Sequence, residues 1–522
     1  MAKKKKKASV NANSLIKQKP SKFQRELAQA FQIFQRKEYR VCHDICFHIL
    51  QHEPKNADAK MLLGFIASEE KNWAVAANFL ADAVKVNARI AKVRFTLARA
   101  YQELNLREKA ISHYKAYLSL NEGRLDALLF LGNCFADEER YEEAIETYEK
   151  MLEREPNSPA GLTNMGLMYA TIGDMEKAIS VYRYCSRLYP ERAENVSNLL
   201  ITQNYAPPND YAKWFEKSKA YAHELFRRVL TQEMVPQVIG RGKIMRVGVV
   251  SADLYKHSVS HFLQRLLKHF DRSKMELIAY YSATQEDNFT AFVRDRASDF
   301  KSIAYLSTDE ASNLIVDDQI DILIDLSGHF RHNRLDIFAK RSAPVQVAWL
   351  GYPNTTALNT MDYRLVDDIT DPKGLTDCFY TEALYRLPRG FLCFSDDESV
   401  ALSEEIPNKR TGFITFGCFN NSEKISPEVI RVWCEILARV ANARLLLKSR
   451  HFANDSVRKR YLKLFSEAGV CSDQIVLRGF IKGGTHLELY NEVDLALDTF
   501  PYNGTTTTCQ SLWMGVPTVT FT

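Results

Sequence analysis

Residues 497–510 read LDTFPYNGTTTTCQ, and this stretch organises the C-terminal part of the chain. Residues 494–497 predict a buried strand, Pro501 and Gly504 predict a tight turn, and Thr505–Thr508 predict the start of a helix. The first turn of a helix has unpaired N–H groups and the positive end of the helix dipole. With threonine hydroxyls beside those groups, this helix start suits a phosphate or diphosphate. The spacing alone leaves a second interpretation open, a capped strand-to-helix turn that binds nothing.

The length and composition indicate a multidomain globular protein. A chain of 522 residues is too long for one core, 46% of its residues are hydrophobic, and its net charge is only +5. No apolar run is long enough to span a bilayer. Lys3–Lys7 form a lysine block within a basic tail predicted over residues 1–20, with no apolar segment behind it, so we expect a cytoplasmic protein without a secretory signal. We expect no specific nucleic-acid partner, although the tail could attract nucleic acid or anionic lipid loosely.

The ten cysteines are scattered and form no CxxC pair. Cys42 and Cys46 lie four residues apart in a helical segment, with His43 and His48 nearby, but no second ligand pair follows. We therefore predict reduced thiols and no metal site.

A period of 34 residues runs through the N-terminal third and predicts tetratricopeptide repeats over residues 21–192. Small residues at one position let two helices cross closely, while a leucine or tyrosine fills the gap beside them. The residues linked by the period are Gly64, Ala98, Gly132 and Gly166; Ala76, Ala110, Ala144 and Ala178; Leu80, Tyr114, Tyr148 and Tyr182; and Pro156 and Pro190.

Stacked repeats form a superhelix whose concave face suits an extended peptide or a partner protein. A spacer, or an arm that forms a homo-oligomer, is the alternative. Residues 193–242 are predicted to hold capping helices and a linker, with a helix over Tyr211–Leu230. Pro207-Pro208 and Gly240–Gly242 mark the passage into the next domain.

Residues 243–408 predict a first α/β lobe. Strand candidates alternate with helical stretches, which indicates a parallel, doubly wound sheet whose ligands lie beyond the strand C-termini. No GxGxxG is present, which disfavours a dinucleotide cofactor. The predicted strands are Met245–Ser251, Leu277–Tyr281, Ile322–Leu326, Val345–Leu350 and Tyr363–Val366.

Polar residues gather at the predicted strand ends of this lobe. Asp325 ends one strand and could either be a helix cap or accept a proton from an attacking hydroxyl. His257 and His329 are candidate site residues, while His261, four residues after His257, could simply pack or cap. His269 and His332 are expected at the surface.

Residues 409–522 predict a second, incomplete α/β lobe. Its strands are predicted at residues 412–419, 444–447, 475–477 and 517–521, and Lys448 and Lys482 follow two of them. Ser426 and Pro427 form a predicted helix start. A doubly wound lobe normally continues after the last of these strands, so we expect either a fragment or a form that lacks part of the lobe.

Five segments resemble the family of nucleocytoplasmic O-GlcNAc transferases and plant SPINDLY-type O-fucosyltransferases. They are VGVVSADLYKHSVSH (247–261), DLSGH (325–329), RSAPVQVAWLGYPNTT (341–356), GCFNNSEKISP (417–427) and LDTFPYNGTTTTCQSLWMGVP (497–517). The TTTTC word is more similar to the SPINDLY branch and its bacterial relatives than to the animal enzymes.

The resemblance implies an α-superhelix of repeats followed by a GT-B pair of Rossmann-like lobes, which would transfer a sugar to Ser or Thr of proteins with inversion and without metal. It implies that Lys424 neutralises the leaving diphosphate. It implies further that Asp325 is the better candidate for deprotonating the acceptor, directly or through water, and that His257, the other candidate base, lies near the acceptor. No cofactor is implied besides the donor substrate, UDP-GlcNAc or GDP-fucose. The residues implied to bind that nucleotide sugar are His329, Lys448, His486, Asn503, Thr505, Thr506, Thr507 and Gln510.

Two departures from the family pattern qualify these roles. Gln510 stands where the family keeps an acidic residue for the ribose, so donor affinity is expected to fall. The repeats lack a regular asparagine ladder, since Asn164 corresponds to Thr96 and Phe130 in neighbouring repeats. These departures leave two alternatives open: a repeat scaffold with an inactive transferase half, and an enzyme that modifies Asn or a small glycan.

Overall fold

The computed structural model describes residues 22–121, 124–206, 211–230, 244–396, 400–479 and 486–521. The predicted basic tail, Pro207-Pro208, Gly240–Gly242 and Lys482 lie outside these ranges. The chain divides into two compact units, Met1–Asn164 and Met165–Thr522. Among the described residues, no helix has both the length and the hydropathy needed to cross a membrane.

The first unit consists of antiparallel helix pairs, as the 34-residue period predicts. Ala76, Ala110 and Ala144 are fully buried where paired helices cross. A Cβ placed on Gly64 would lie 2.5 Å from Leu80 Cγ, so only glycine permits that close approach. The helices are α1 (Gln24–Gln35), α2 (Tyr39–His52), α3 (Ala57–Glu69), α4 (Trp73–Val86), α5 (Ala91–Glu103), α6 (Arg107–Leu118), α7 (Leu125–Asp137) and α8 (Tyr141–Leu152), and α9 (Pro159–Thr171) crosses the boundary between the units.

The second unit begins with the end of the repeat array. Here α10 (Met175–Leu188) is followed by α11 (Ala193–Gln203) and α12 (Tyr211–Leu230), the last with the predicted bounds. Tyr182 fills the space beside Gly166, whose Cβ would lie 2.7 Å from the ring. The repeat prediction is therefore confirmed in both units.

The first lobe is a seven-stranded parallel sheet in the order β3-β2-β1-β4-β5-β6-β7. Its central strands are buried because helices cover both faces. Two strands were not predicted, β3 and β7, and both lie at sheet edges. The elements are β1 (Met245–Ser251), α13 (Ser260–His269), β2 (Met275–Tyr281), α14 (Asn288–Arg296), β3 (Asp299–Ser302), α15 (Thr308–Asp317), β4 (Ile322–Asp325), α16 (Leu335–Ala339), β5 (Val345–Ala348), β6 (Tyr363–Val366) and β7 (Ala383–Arg386).

The second lobe is a five-stranded parallel sheet in the order β10-β9-β8-β11-β12. Ser426 caps α18 by accepting the Val429 N–H, with Pro427 at the first helical position, which confirms the predicted helix start. The elements are α17 (Pro407–Thr411), β8 (Ile414–Cys418), α18 (Pro427–Arg439), β9 (Ala443–Lys448), α19 (Asp455–Glu467), β10 (Ile475–Arg478), β11 (Leu495–Leu497), α20 (Thr506–Trp513) and β12 (Thr518–Val519).

The strand order locates the candidate site in each lobe. The order reverses between β1 and β4 in the first lobe and between β8 and β11 in the second, and ligands of such sheets bind at this switch point, beyond the strand C-termini. Val250 pairs with Asp325 at the first point. The segments that follow Cys418 and Leu497 meet at the second.

Candidate active site

The turn after β11 is held together by the carboxylate of Asp498. One oxygen, Oδ1, accepts the backbone N–H of Thr499 at 2.8 Å and of Gly504 at 2.7 Å, together with Asn420 Nδ2 at 3.0 Å. The other, Oδ2, accepts Asn503 Nδ2 at 3.3 Å. These bonds fix the predicted Pro/Gly turn against the end of β8, so the loop does not depend on a ligand for its shape.

Asn420 links this turn to the start of α20. Its Nδ2 also donates to Thr499 Oγ1 at 2.9 Å, and its Oδ1 accepts the hydroxyl of Thr507. A Cβ on Gly504 would lie 2.6–2.7 Å from Asn420 Oδ1 and from the hydroxyls of Thr507 and Thr508. The backbone at Gly504 is therefore packed too closely for any other residue.

Helix α20 opens on threonines, as the sequence predicts. It begins at Thr506, with Thr505 as the N-cap residue, and the side chain of Thr505 makes no capping hydrogen bond. The first N–H groups of α20 thus face the turn that Asp498 orders, beside the hydroxyls of Thr505 and Thr506. The start of α20 combines N–H donors, hydroxyls and the positive end of a helix dipole, and all three favour binding of an anion.

Lys424 brings a cation to the same turn. Its Nζ donates to the carbonyl of Asn503 at 2.8 Å and lies 3.9 Å from the centre of the Tyr502 ring. Burial lowers the pKa of Lys424 to about 8, and the nearby Asp498, Cys418 and Glu423 oppose that shift. An ammonium whose desolvation is only partly compensated is suited to receive an anionic ligand.

Gln510 lies one turn along α20 from Thr506 and Thr507 and pairs with His486. His486 Nε2 and Gln510 Oε1 are 3.0 Å apart, and Gln510 Nε2 donates to Asp396 Oδ2 at 3.4 Å. His261 Nδ1 approaches the same carboxylate at 3.4 Å. The acidic group that the sequence lacks at position 510 is thus present next to it, on the segment that leaves the first lobe.

Asp325 ends β4, as predicted, and its carboxylate orders the following loop. Its oxygens accept the N–H of Ser327 at 3.1 Å and of Gly328 at 2.7 Å. Burial raises its pKa to about 6, while these two N–H groups and Arg364 oppose the shift. The side chain is only 2% exposed, and its hydrogen bonds hold a turn. The helix-cap alternative is wrong, because the next described helix begins only at Leu335.

His329 lies inside the packing between the repeat end and the first lobe. Its Nε2 is 2.9 Å from the Thr356 carbonyl and therefore carries the proton, so its Nδ1 accepts the Ser197 hydroxyl at 3.2 Å. Burial lowers its pKa to about 4. Both ring nitrogens are thus bonded within the chain.

His257 is half-exposed, whereas His269 and His332 lie at the surface as expected. His257 precedes α13, its side chain is 38% exposed, and its Nδ1 lies 3.8 Å from a carboxylate oxygen of Asp253. Burial raises the pKa of Asp253, and His257 opposes that shift. A half-exposed imidazole backed by a carboxylate can accept a proton from a hydroxyl.

Arg450 of the second lobe acts electrostatically on residues of both lobes. It opposes the raising by burial of the pKa of Tyr255, whose ring is 5.7 Å from that of His257, and of the pKa of Glu423. Lys448 ends β9 two residues before Arg450, and burial lowers its pKa. Arg450 thus links the surroundings of His257 to those of Lys424.

Comparison with known proteins identifies the family. The family model described as glycosyl transferase family 41 matches residues 228–403 and 403–522, and tetratricopeptide models match residues 95–159 and 160–192. The chain belongs to glycosyl transferase family 41.

Several relatives in family 41 are plant proteins. The probable UDP-N-acetylglucosamine--peptide N-acetylglucosaminyltransferase SPINDLY of Oryza sativa is 36% identical over 349 residues, which cover 66% of this chain and 37% of that protein. The Arabidopsis thaliana protein of the same name is 37% identical over 339 residues, 64% of this chain and 37% of that protein. This chain therefore spans little more than a third of the length of these relatives.

A solved structure supports the same assignment to family 41. The structure of a Thermobaculum terrenum O-GlcNAc transferase mutant matches with a TM-score of 0.65 and 27% identity, over 95% of this chain and 82% of that one. The predicted architecture, repeats followed by two Rossmann-like lobes, is therefore confirmed.

Four residues of this family 41 site were not among the predicted site residues. Asn420 and Asp498 build the turn, Tyr502 lies under Lys424, and Asp396 approaches Gln510. Asn420 and Asp498 directly follow two neighbouring central strands, a position that could have singled them out. Asp396 follows no predicted element, and its role depends on a contact across 114 residues.

Proposed function

We propose that this chain is a protein O-glycosyltransferase that transfers GlcNAc from UDP-GlcNAc to Ser or Thr with inversion and without metal. The observation that carries the proposal is the turn of residues 498–507, where an ordered backbone, a helix start and the ammonium of Lys424 converge. A nucleoside diphosphate is a good leaving group only where its charge is neutralised, and this turn supplies that charge from the chain itself.

The proposed reaction is a single displacement. The acceptor hydroxyl oxygen attacks the anomeric carbon, the bond from that carbon to the diphosphate oxygen breaks, and the electron pair leaves with the nucleoside diphosphate. Lys424 and the N–H groups at the start of α20 stabilise the charge that develops on the leaving oxygen. The hydroxyl proton passes to a base on the opposite edge, so attack comes from the face away from the diphosphate and inverts the anomeric configuration.

His257 is the base that the geometry favours. Its imidazole is accessible and backed by Asp253, whereas the oxygens of Asp325 already accept two backbone N–H groups in a buried loop. Asp325 then acts by holding the loop of residues 325–329 in shape. The predicted contact of His329 with the sugar would require the loss of its bonds to Ser197 and Thr356, so we assign it to the packing of the repeat end on the first lobe.

The proposed acceptors are proteins or peptides guided by the repeats. The array is of the kind that binds extended segments. Asn164 Nδ2 donates to Asn133 Oδ1 at 2.8 Å, so these two amides bind each other in this structure. Acceptor selection is therefore expected to depend on apolar and charged side chains of the array more than on an asparagine ladder.

Gln510 supports a second candidate function, a repeat scaffold whose transferase half is inactive. Both ends of its amide already have partners, His486 and Asp396, so a ribose would have to displace at least one of them. In that case the lobes would bind nucleotide weakly, and the repeats alone would carry the function.

The test uses the full chain. Calorimetry with UDP and with GDP, followed by incubation of acceptor peptides with labelled UDP-GlcNAc or GDP-fucose, measures donor choice and transfer together. Binding of UDP with GlcNAc on Ser or Thr, located by mass spectrometry, is the expected result. Fucose on Ser or Thr would show that the donor is GDP-fucose and that the type of reaction is as proposed. A sugar on Asn would show that the acceptor residue is Asn. Peptide capture without nucleotide binding or transfer would establish the scaffold.

A further inference from the structure

The end of the repeat array reaches both lobes through two adjacent residues, Asn204 and Tyr205. Asn204 follows α11, and its Nδ2 donates to the Tyr352 hydroxyl of the first lobe at 3.1 Å. Asn354 Nδ2 donates back to Asn204 Oδ1 at 3.2 Å. The backbone at this point is therefore fixed on the first lobe, and the next side chain is held in a defined position.

Tyr205 extends from that fixed point to the second lobe. Its ring lies 5.1 Å from the ring of Tyr502, centre to centre, and Tyr502 in turn lies under the ammonium of Lys424. The Tyr205 hydroxyl also interacts with the carboxylate of Glu423, the residue before Lys424, and lowers the pKa that burial raises there. Tyr205 thus contacts both groups that adjoin the lysine, one an aromatic face and the other a carboxylate.

We propose that Tyr205 is a positioning residue, which holds the Tyr502 ring under Lys424 and orients Glu423 beside it, so that the Lys424 side chain stays aimed at the diphosphate. The proposal rests on the proposed function and deepens it. It assigns to the end of the repeat array a part in the leaving-group chemistry, in addition to the binding of acceptors.

The charges around Lys424 give the direction of the effect. Asp498, Cys418 and Glu423 face Lys424, and each opposes the lowering of its pKa by burial. Burial raises the pKa of Glu423, while the Tyr205 hydroxyl and Arg450 oppose that shift. Loss of the hydroxyl therefore raises the pKa of Glu423 further and leaves its carboxylate less well held beside the ammonium, which it then supports less. The pKa of Lys424 should fall.

Tyr205→Phe separates this effect from packing because it keeps the ring and removes only the hydroxyl. We expect the pKa of Lys424 to fall by about 0.5 unit or more. The alkaline limb of kcat/KM should move to lower pH by the same amount, with the KM for the acceptor and the melting temperature close to those of the unchanged protein. Tyr305→Phe is the matched control, since Tyr305 is 88% exposed in the first lobe.

The pKa of Lys424 can also be measured without any transferase activity, by competitive labelling of lysines with acetic anhydride. The labelling rate of Lys424 as a function of pH, followed by mass spectrometry, gives its pKa directly. If this pKa moves while no sugar is transferred, the positioning role stands and the proposed function fails. An unchanged pKa in Tyr205→Phe, with transfer intact in the unchanged protein, would overturn the positioning role alone.

A double-mutant cycle with Glu423→Gln checks the route of the effect. If Tyr205 acts through Glu423, each single variant lowers the pKa of Lys424, and the double variant lowers it no further than Glu423→Gln does. Additive shifts would show that Tyr205 acts by another route, and they would contradict the proposed mechanism. Tyr205→Ala should also reduce kcat by roughly tenfold, because Tyr502 then loses the ring that backs it.

Discussion

Lys424→Met is the substitution that tests the proposed chemistry most directly. Methionine keeps an unbranched stem that packs on Tyr502 but removes the ammonium, so the bond to the Asn503 carbonyl is lost and the turn stays filled. The other bonds of the turn, from Asp498 to Gly504 and from Asn420 to Thr507, do not involve the lysine. The variant should therefore fold and lack only the cation.

The structure sets the size of the expected loss. Two unit charges about 4 Å apart interact by about 4 kcal/mol at the effective dielectric of a protein surface. Part of this is present in the bound donor, and the rest appears as charge develops on the leaving oxygen. Removal of one such donor from a preorganised site typically costs about 10²- to 10³-fold in kcat. We expect a loss in that range, with the donor KM changed by less than about tenfold.

The assay is the initial rate of transfer from labelled donor to an acceptor peptide. Lys463→Met is the control, because Lys463 lies on α19 of the same lobe with a side chain that is 75% exposed. A kcat within about threefold of the control would refute the role of Lys424 in departure of the diphosphate. A change confined to the donor KM would show that Lys424 binds the donor equally in ground and transition states.

The pH profile provides a second check on the same group. Burial lowers the pKa of Lys424 to about 8, and the proposed mechanism requires the protonated form. Transfer by the free enzyme, measured as kcat/KM, should therefore fall as pH rises through about 8. Because Met does not titrate, this limb should be absent in Lys424→Met, and a limb that persists there would belong to another group.

Three further predictions concern the turn and the buried histidine. Gly504→Ala places a Cβ against Asn420 and Thr507, and we expect loss of nucleoside diphosphate binding by calorimetry with the two lobes still folded; unchanged affinity would contradict the close packing. Asn420→Ala removes the brace between the turn and α20, and a lowering of the free energy of unfolding by roughly 1–3 kcal/mol is expected in urea titrations. Burial lowers the pKa of His329 to about 4, so between pH 6.5 and 4 the unfolded chain binds a proton at this histidine and the folded protein does not. The free energy of unfolding therefore falls as the pH falls. Asp325, whose pKa is raised to about 6, has the opposite effect. His329→Asn should remove the effect of the histidine, so the free energy of unfolding at pH 4 should rise relative to that at pH 7 by about 3 kcal/mol. An unchanged difference between the two pH values would contradict burial of the neutral ring.

The sequence predicts the central elements of this fold well, because their signals are local. Residues 247–250 of this chain are an apolar run, and β1 is buried from Val247 to Ser251. By contrast, Asp299–Ser302 and Ala383–Arg386 lie at the two edges of the sheet, where half-exposed residues such as Tyr385 replace an apolar run. An edge strand is defined by its neighbour and carries a weaker pattern of its own.

The same distinction separates the site residues that the sequence can predict from those that it cannot. Lys424 and Asn503 follow the ends of neighbouring central strands, so the topology brings them near each other, and Lys424 Nζ donates to the Asn503 carbonyl. His329 also follows a strand end, but its ring turns towards Ser197, 132 residues earlier in the chain, because the repeat end packs there. Tyr205 reaches Glu423 for the same reason. In each case the partner is supplied by the docking of α11 on the lobes, and no strand register or helix period encodes that docking. Residues at such a junction can carry function without any local signal, and Tyr205→Phe therefore examines a part of the site that only the folded chain reveals.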